Sequence, residues 1–260
     1  MIKTSIRLAL FFYMLLLFGY QSLSLAQEEE EKRLNILWKI GEEFTYDITT
    51  WNMHLGYSTG HFVGLVDHEV VGKAFLFRTK TEINNLSGEL NTSIESELFT
   101  QGSGYPGYYT AKYTEGGEVR ELAGYLAGIT FIFHEREDTL ENDFEVNVSP
   151  ETFICDRQSI PHWNLAFYNV PNIDRDTLHF SVLIPYLKKR AKMRMYRQDN
   201  AKIEVMGEEV ICRVFFSPRT EEYYYITPER RVARVHLPQQ GLNYMLVSIE
   251  KKPAEEKQDK

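Results

Sequence analysis

Cys155, Asp156, Arg157, Ser159 and His162 fall within eight positions of one another, in the stretch "TFICDRQSIPHWNLAF" of residues 152–167. A cysteine or serine nucleophile needs a base within hydrogen-bond reach, and the base needs a third group to orient it. The residue types are present here, but the pattern is not. Cys155 and His162 lie seven residues apart across Pro161, and no thiol-protease signature surrounds Cys155. Ser159 lacks the Gly-x-Ser-x-Gly elbow of a serine hydrolase. His54, His61 and His68 recur every seven residues, which would align them on a helix. Gly56, Gly60 and Gly64 interleave them in strand-like sequence, where His61 faces opposite to the other two, and zinc sites use tighter pairs. The reading is therefore no catalytic residue, no metal ligand and no cofactor. The acids of "HEREDTLENDFE", residues 134–145, could furnish the carboxylate pair of a hydrolase, yet no two stand out by spacing.

Other residues suggest binding rather than chemistry. Tyr105, Tyr108 and Tyr109 lie on a strand-like segment, and Trp163 and Phe167 lie in the segment that breaks the strand pattern. Together they could line a site for a hydrophobic ligand. Lys188, Lys189, Arg190, Lys192 and Arg194 form a basic patch that could touch an anionic membrane or an acidic partner.

The compartment follows from the first 26 residues. Lys3 and Arg7 precede the apolar run Leu8–Phe18, and Ser24 and Ala26 sit three and one positions before a cleavage point ahead of Gln27. This is the pattern of a secretory signal peptide, and the apolar run is too short for a membrane span. An exported, periplasmic protein with no transmembrane helix in the mature chain is expected. The formal charge of −8 becomes −10 once Lys3 and Arg7 leave, which suits an envelope protein and not a nucleic-acid binder. The only cysteines, Cys155 and Cys212, are expected to form a disulfide in an oxidising compartment.

The elements that must position these residues are strands. "EEFTYDITTW", "KAFLFRTKTEI", "ARVHL" and "NYMLVSI" alternate with period two, and "LSGEL", "TEGGE", "VMGEE" and "TPERR" supply turns. The expectation is mainly β: one antiparallel sheet of about 10–12 strands in meander order. One short helix is expected over residues 159–168, capped by Asp156 or Ser159, with Pro161 in its first turn and Ile160, Trp163 and Phe167 on one face. The domain is placed at 40–251, after an acidic segment at 27–39 and before a disordered tail at 252–260.

"GEEFTYDITTWNMHLGYSTG", "GKAFLFRTKTEIN", "ELFTQGSGYPGYYTAKYTEGGE", the Asp156-x-x-Ser159 element and "YYYITPERRVARV" together resemble a family of exported bacterial proteins known as a domain of unknown function, DUF3108. The segment "SIPHWNLAFYNVP" departs from it, lacking the Leu-Arg helix end. The resemblance implies a strongly curved, half-open barrel shaped like the lipoprotein carriers of the periplasm, with a helix covering its concave face and no enzyme activity. Three functions follow for the chain: a carrier of a hydrophobic ligand under the concave sheet, a hydrolase of an envelope polymer, or a structural module that braces an envelope protein partner.

Overall fold

The computed structural model describes residues 39–252, apart from residues 52, 85–89, 102–103, 150–151 and 157–158. The signal segment and its Gln27 cleavage point, the acidic segment up to residue 38 and the tail from residue 253 lie outside the described residues. Eight strands form the first run: β1 (Glu42–Thr50), β2 (Met53–His68), β3 (Gly72–Asn84), β4 (Leu90–Thr100), β5 (Pro106–Glu115), β6 (Glu118–Ala127), β7 (Thr130–Glu137) and β8 (Leu140–Asn147). The short β9 (Thr152–Ile154) is followed by the helix α1 (Pro161–Asn169). The second run holds β10 (Thr177–Ile184), β11 (Lys189–Val205), β12 (Glu208–Ser217), β13 (Glu222–Ile226), β14 (Val232–Leu237) and β15 (Leu242–Lys251).

All fifteen strands belong to one sheet, ordered β8 to β1, then β15 back to β9. β1 pairs with β15 at its middle, so the two runs are wings that meander outward from the paired first and last strands. This order forces the curvature. Strands stand about 4.8 Å apart, so fifteen side by side in a flat sheet would span about 65 Å. Yet β8 and β9, at opposite edges, are joined by the chain from Asn147 to Thr152. Those five steps reach at most about 18 Å. The sheet must curl until its ends approach, and Cα atoms of β9 come within 8 Å of β5, and those of β11 within 8 Å of β8. It stays open, because β8 and β9 are not hydrogen-bonded to each other.

Among the described residues, the mainly β, curved, meandering sheet with one α-helix is the expected architecture, with more strands than expected and one exception to its antiparallel order. β9 runs parallel to β10. Parallel neighbours need a long crossover, and α1 is that crossover. The helix is thus a topological necessity as well as a cover. It packs near β2, β9 and β14, and every residue from Pro161 to Tyr168 is buried. An amphipathic stripe was expected; a helix enclosed by both wings has no solvent face to keep polar. Trp163 and Phe167 meet Phe180 and Tyr224 on the second wing, at ring-centroid distances of 4.8–6.3 Å. Pro161 meets the first wing at Gly60, where a Cβ would fall 2.5 Å from the Pro161 Cβ and 2.6 Å from the Phe44 ring. Glycine at 60 lets the helix start sit on the sheet.

Candidate functional site

Of the opening cluster, Asp156, Ser159 and His162 are brought together at the start of α1, but as a buried network, and Arg157 lies outside the described residues. Tyr109 and Tyr113 from β5 donate their hydroxyls to Asp156 Oδ2, the first at 2.6 Å, and the Tyr186 backbone N–H donates to Asp156 Oδ1 at 3.1 Å. The Asp156 N–H points at His162 Nδ1 over 3.4 Å, which leaves the proton on Nε2, 3.2 Å from Ser96 Oγ. Ser96 joins Thr79 at 2.7 Å, and Thr79 joins Ser159 at 2.9 Å. Alternation on β3, β4 and β5 places Thr79, Ser96, Tyr109 and Tyr113 on the face turned to the helix.

The electrostatics follow from burial. His162 is pushed down to about 3, so its imidazole is neutral. The Cys155 thiol is pushed well up by burial and then by Asp156, and Tyr109 and Tyr113 rise for the same two reasons. A thiol held protonated is a poor nucleophile. Both His162 nitrogens are engaged, and the Ser159 hydroxyl is held by Thr79. The arrangement fixes a helix to a sheet.

Neither expected cap is used. Ser159 turns to Thr79 and Asp156 to the tyrosines, while Ile160 holds the N-cap position of α1 with no side-chain cap, and Pro161 sits in the first turn, as expected. At its other end Arg230 donates to the carbonyls of Tyr168 and Val170, at 3.1 and 3.2 Å. Arg231 bonds the Tyr168 hydroxyl at 3.0 Å and Glu42 through both carboxylate oxygens, at 2.7 and 2.9 Å. Mid-helix, Asn164 donates to the Tyr46 hydroxyl and accepts from Val232 N–H, both at 2.8 Å. Sequence reading missed Asn164, Glu42, Arg230 and Arg231. The one available signal was paired arginines following a turn, and their partners lie up to 189 residues away.

The expected disulfide is a correction: Cys155 and Cys212 are both free and buried. Cys155 sits on the helix side beside Tyr224. Tyr224 faces Phe215 across β12 and β13, and Phe215 packs on Phe167. Cys212, three residues before Phe215, points to the opposite face, so the sheet lies between the two sulfurs. Burial also pushes the Cys212 thiol up to about 11, with Glu229 adding to it.

The proposed ligand-binding residues are not gathered. Tyr105 stacks on Phe153 and lines a pocket of about 200 Å³ with Pro106, Leu126, Ile129 and Val148. Tyr108 packs with His68 and Phe99 in a satellite cluster on the other face. Tyr109 belongs to the Asp156 network, and Trp163 and Phe167 to the aromatic core. The three histidines of β2 are also apart: His54 bonds Asp47 at 2.6 Å, His68 stacks on Phe99, and His61 faces the groove described next.

A large open volume lies on the face of β2–β8 turned away from α1, a groove of about 1210 Å³. Register lines up Lys80, Glu95, Lys112, Glu121, Arg136 and Glu141 on six consecutive strands, alternating in sign. Lys80 lies 3.3 Å from Glu95, Lys112 lies 4.0 Å from Glu121, and Arg136 bonds Glu121. A second row carries Arg78–Glu97 at 2.8 Å and His134–Asp143 at 2.7 Å. Of the acids of residues 134–145, Asp143 pairs with His134, and the buried Glu135, on the helix face, pairs with Arg120 and Lys188.

No helix among the described residues is long and apolar enough to cross a membrane. No protein-family model and no curated protein matches the chain, so the resemblance to the domain-of-unknown-function family is not carried by a family match. Among solved structures, a protein described as exported, with a YmcC-like fold, from Bacteroides fragilis is 9% identical. That match covers 82% of this chain and 97% of its own, with a TM-score of 0.33. A protein described as a lipoprotein, from Parabacteroides distasonis, is 10% identical over 82% of this chain and 96% of its own, with a TM-score of 0.32.

Proposed function

We propose that the chain is an exported, non-enzymatic binding protein: a scrolled sheet closed by its own helix, which meets a polar ligand on the outer groove of β2–β8. One observation carries this reading. The concave face is occupied by a helix buried all round, while the large open volume lies on the charged face. Export rests on the leader at residues 1–26. The alternating charges suit a ligand that offers hydrogen bonds or charges of both signs, such as an extended envelope polymer. A hydrolase reading would need two convergent carboxylates, whereas in the groove Glu95 and Glu121 lie against Lys80 and Lys112, and Asp143 bonds the His134 ring.

The test is native mass spectrometry of protein purified from its own envelope fraction. A bound polar species that is lost in Arg136→Glu, with the melting temperature kept, supports the reading. Bound acyl chains would return the ligand to the concave side, and turnover of an envelope polymer by the wild type would overturn the non-enzymatic part. The hydrophobic-ligand reading keeps one foothold, the pocket beside Tyr105. Its volume holds a ring or a short branched chain, not a long acyl chain, and Leu126→Trp would fill it.

A further inference from the structure

Residues 177–198 hold six Lys or Arg and no Asp or Glu, in a chain with 37 acids. They form the arm β10–β11, whose turn at Pro185–Leu187 reaches across to the first wing. Tyr186 bonds Glu115 at 2.8 Å, and Lys188 bonds Glu135, so the arm is fastened at its tip. Its inner side is sealed by Phe180, Val182, Ala191, Met193 and Met195, all buried. Alternation then turns Arg190, Lys192 and Arg194 outward, and all three are exposed, as is Lys189. Among the described residues these four have no acidic partner, whereas Lys188 and Arg197 have theirs in Glu135 and Asp174. Arg194 lies over the Tyr196 ring at 4.9 Å. Across the pair, His179 and Ser181 face Arg194 and Lys192, adding no negative charge.

We infer that this stripe is a docking surface for an anionic phospholipid membrane. Alternate strand residues stand about 6.7 Å apart, so three cations form a straight, pre-set row of about 13 Å. Because the acidic remainder of the protein repels anions, the row sets the orientation of approach as well as the attraction. Leu187 selects a lipid surface over a free polyanion. It is 46% exposed at the arm's tip, next to Lys188 and Lys189, and an apolar side chain among cations fits the boundary between headgroups and acyl chains. The stripe is separate from the groove of β2–β8 and stands or falls without it.

The experiment uses the full mature chain with vesicles of phosphatidylglycerol and phosphatidylcholine, read by co-sedimentation at 50 and 500 mM salt. Binding to the anionic vesicles, weakened at high salt, and none to phosphatidylcholine alone, is expected. Each cation near such a surface strengthens binding about fivefold. The triple variant R190A/K192A/R194A should therefore lose about a hundredfold. These side chains are exposed, so its melting temperature should hold; Lys202→Ala, on the far end of β11, should bind as wild type. Leu187→Asn should weaken vesicle binding several-fold and leave retention on polyglutamate unchanged. Retention on polyglutamate without vesicle binding would assign the stripe to an acidic polymer and overturn the membrane reading. So would equal binding to neutral vesicles, or a triple variant that binds undiminished.

Discussion

The two faces of β3, β4 and β5 carry different chemistries on the same strands. Toward the helix, Thr79, Ser96, Tyr109 and Tyr113 present hydroxyls, one carboxylate comes to meet them, and the nearby imidazole is neutral. Away from it, Arg78, Lys80, Glu95, Glu97 and Lys112 carry formal charges into an open groove. Single steps along each strand switch from one regime to the other. The difference shows where energy resides. A hydrogen bond in the dry layer cannot be replaced by water when it is broken, so leaving a partner stranded costs about 1–3 kcal/mol. An ion pair in the wet layer exchanges for hydration, and its net worth is about 0–1 kcal/mol. The inner face should therefore decide stability, and the outer face should be free to vary for recognition.

The largest effect should come from Asp156. Its carboxylate accepts from Tyr109, Tyr113 and the Tyr186 N–H, and alanine would strand all three donors. A loss of about 3–5 kcal/mol is expected from urea denaturation, with Asp156→Asn costing less because one acceptor oxygen remains. An Asp156→Ala variant as stable as wild type would break the comparison at its strongest point. Trp163→Ala should also cost about 3–5 kcal/mol, because the indole packs against Tyr224 at 4.8 Å and against Phe180. A loss below 1 kcal/mol together with uptake of an apolar dye would mean that α1 is a movable lid.

The wet and dry layers were unequally legible in the sequence. Strand positions follow from period-two alternation, and the helix follows from its break between Pro161 and Pro171. Which phase points inward is harder. In β3, Ala74, Phe75, Leu76 and Phe77 are all buried, because Leu76 enters the satellite cluster with Val63, Ala74 and Phe99 while Phe77 enters the main core. Alternation there carries no sign. The pairing of β1 with β15 and the parallel β9–β10 pair join segments by closure of the whole sheet, which no local pattern records. The disulfide expectation failed on the same ground: counting cysteines says nothing about sides of a sheet. The cluster at 155–162 was visible as residue types, but its partners Ser96, Tyr109 and Tyr113 read as ordinary strand residues. The alternating ladder needs five registers at once before it appears.

A pH titration sharpens the comparison next. Burial lowers His162 from 6.5 to about 3 in the folded chain. Between those values the unfolded chain takes up a proton that the native state refuses, so stability falls as pH falls through that window. The slope from this group approaches about 1.4 kcal/mol per pH unit in mid-window. His162→Gln should flatten the difference curve against wild type between about pH 6.5 and 3. Parallel curves would show an imidazole that is hydrated, and the inner layer would not be dry.

The smallest expected effect is the most direct test of the outer layer. Lys112 lies 4.0 Å from Glu121, and both side chains are about half exposed. Lys112→Ala, Glu121→Ala and the double variant form a cycle whose coupling isolates the pair from other losses. In water-exposed surroundings the coupling should be about 0.2–1 kcal/mol, and it should shrink at 1 M salt, where charges are screened within about 3 Å. Glu121 also bonds Arg136, so its single variant should cost slightly more than that of Lys112. A coupling above about 2 kcal/mol that ignores salt would mean that the ladder is desolvated. The groove would then be part of the core, the distinction between the two faces would collapse, and a polar ligand would have no surface there to read.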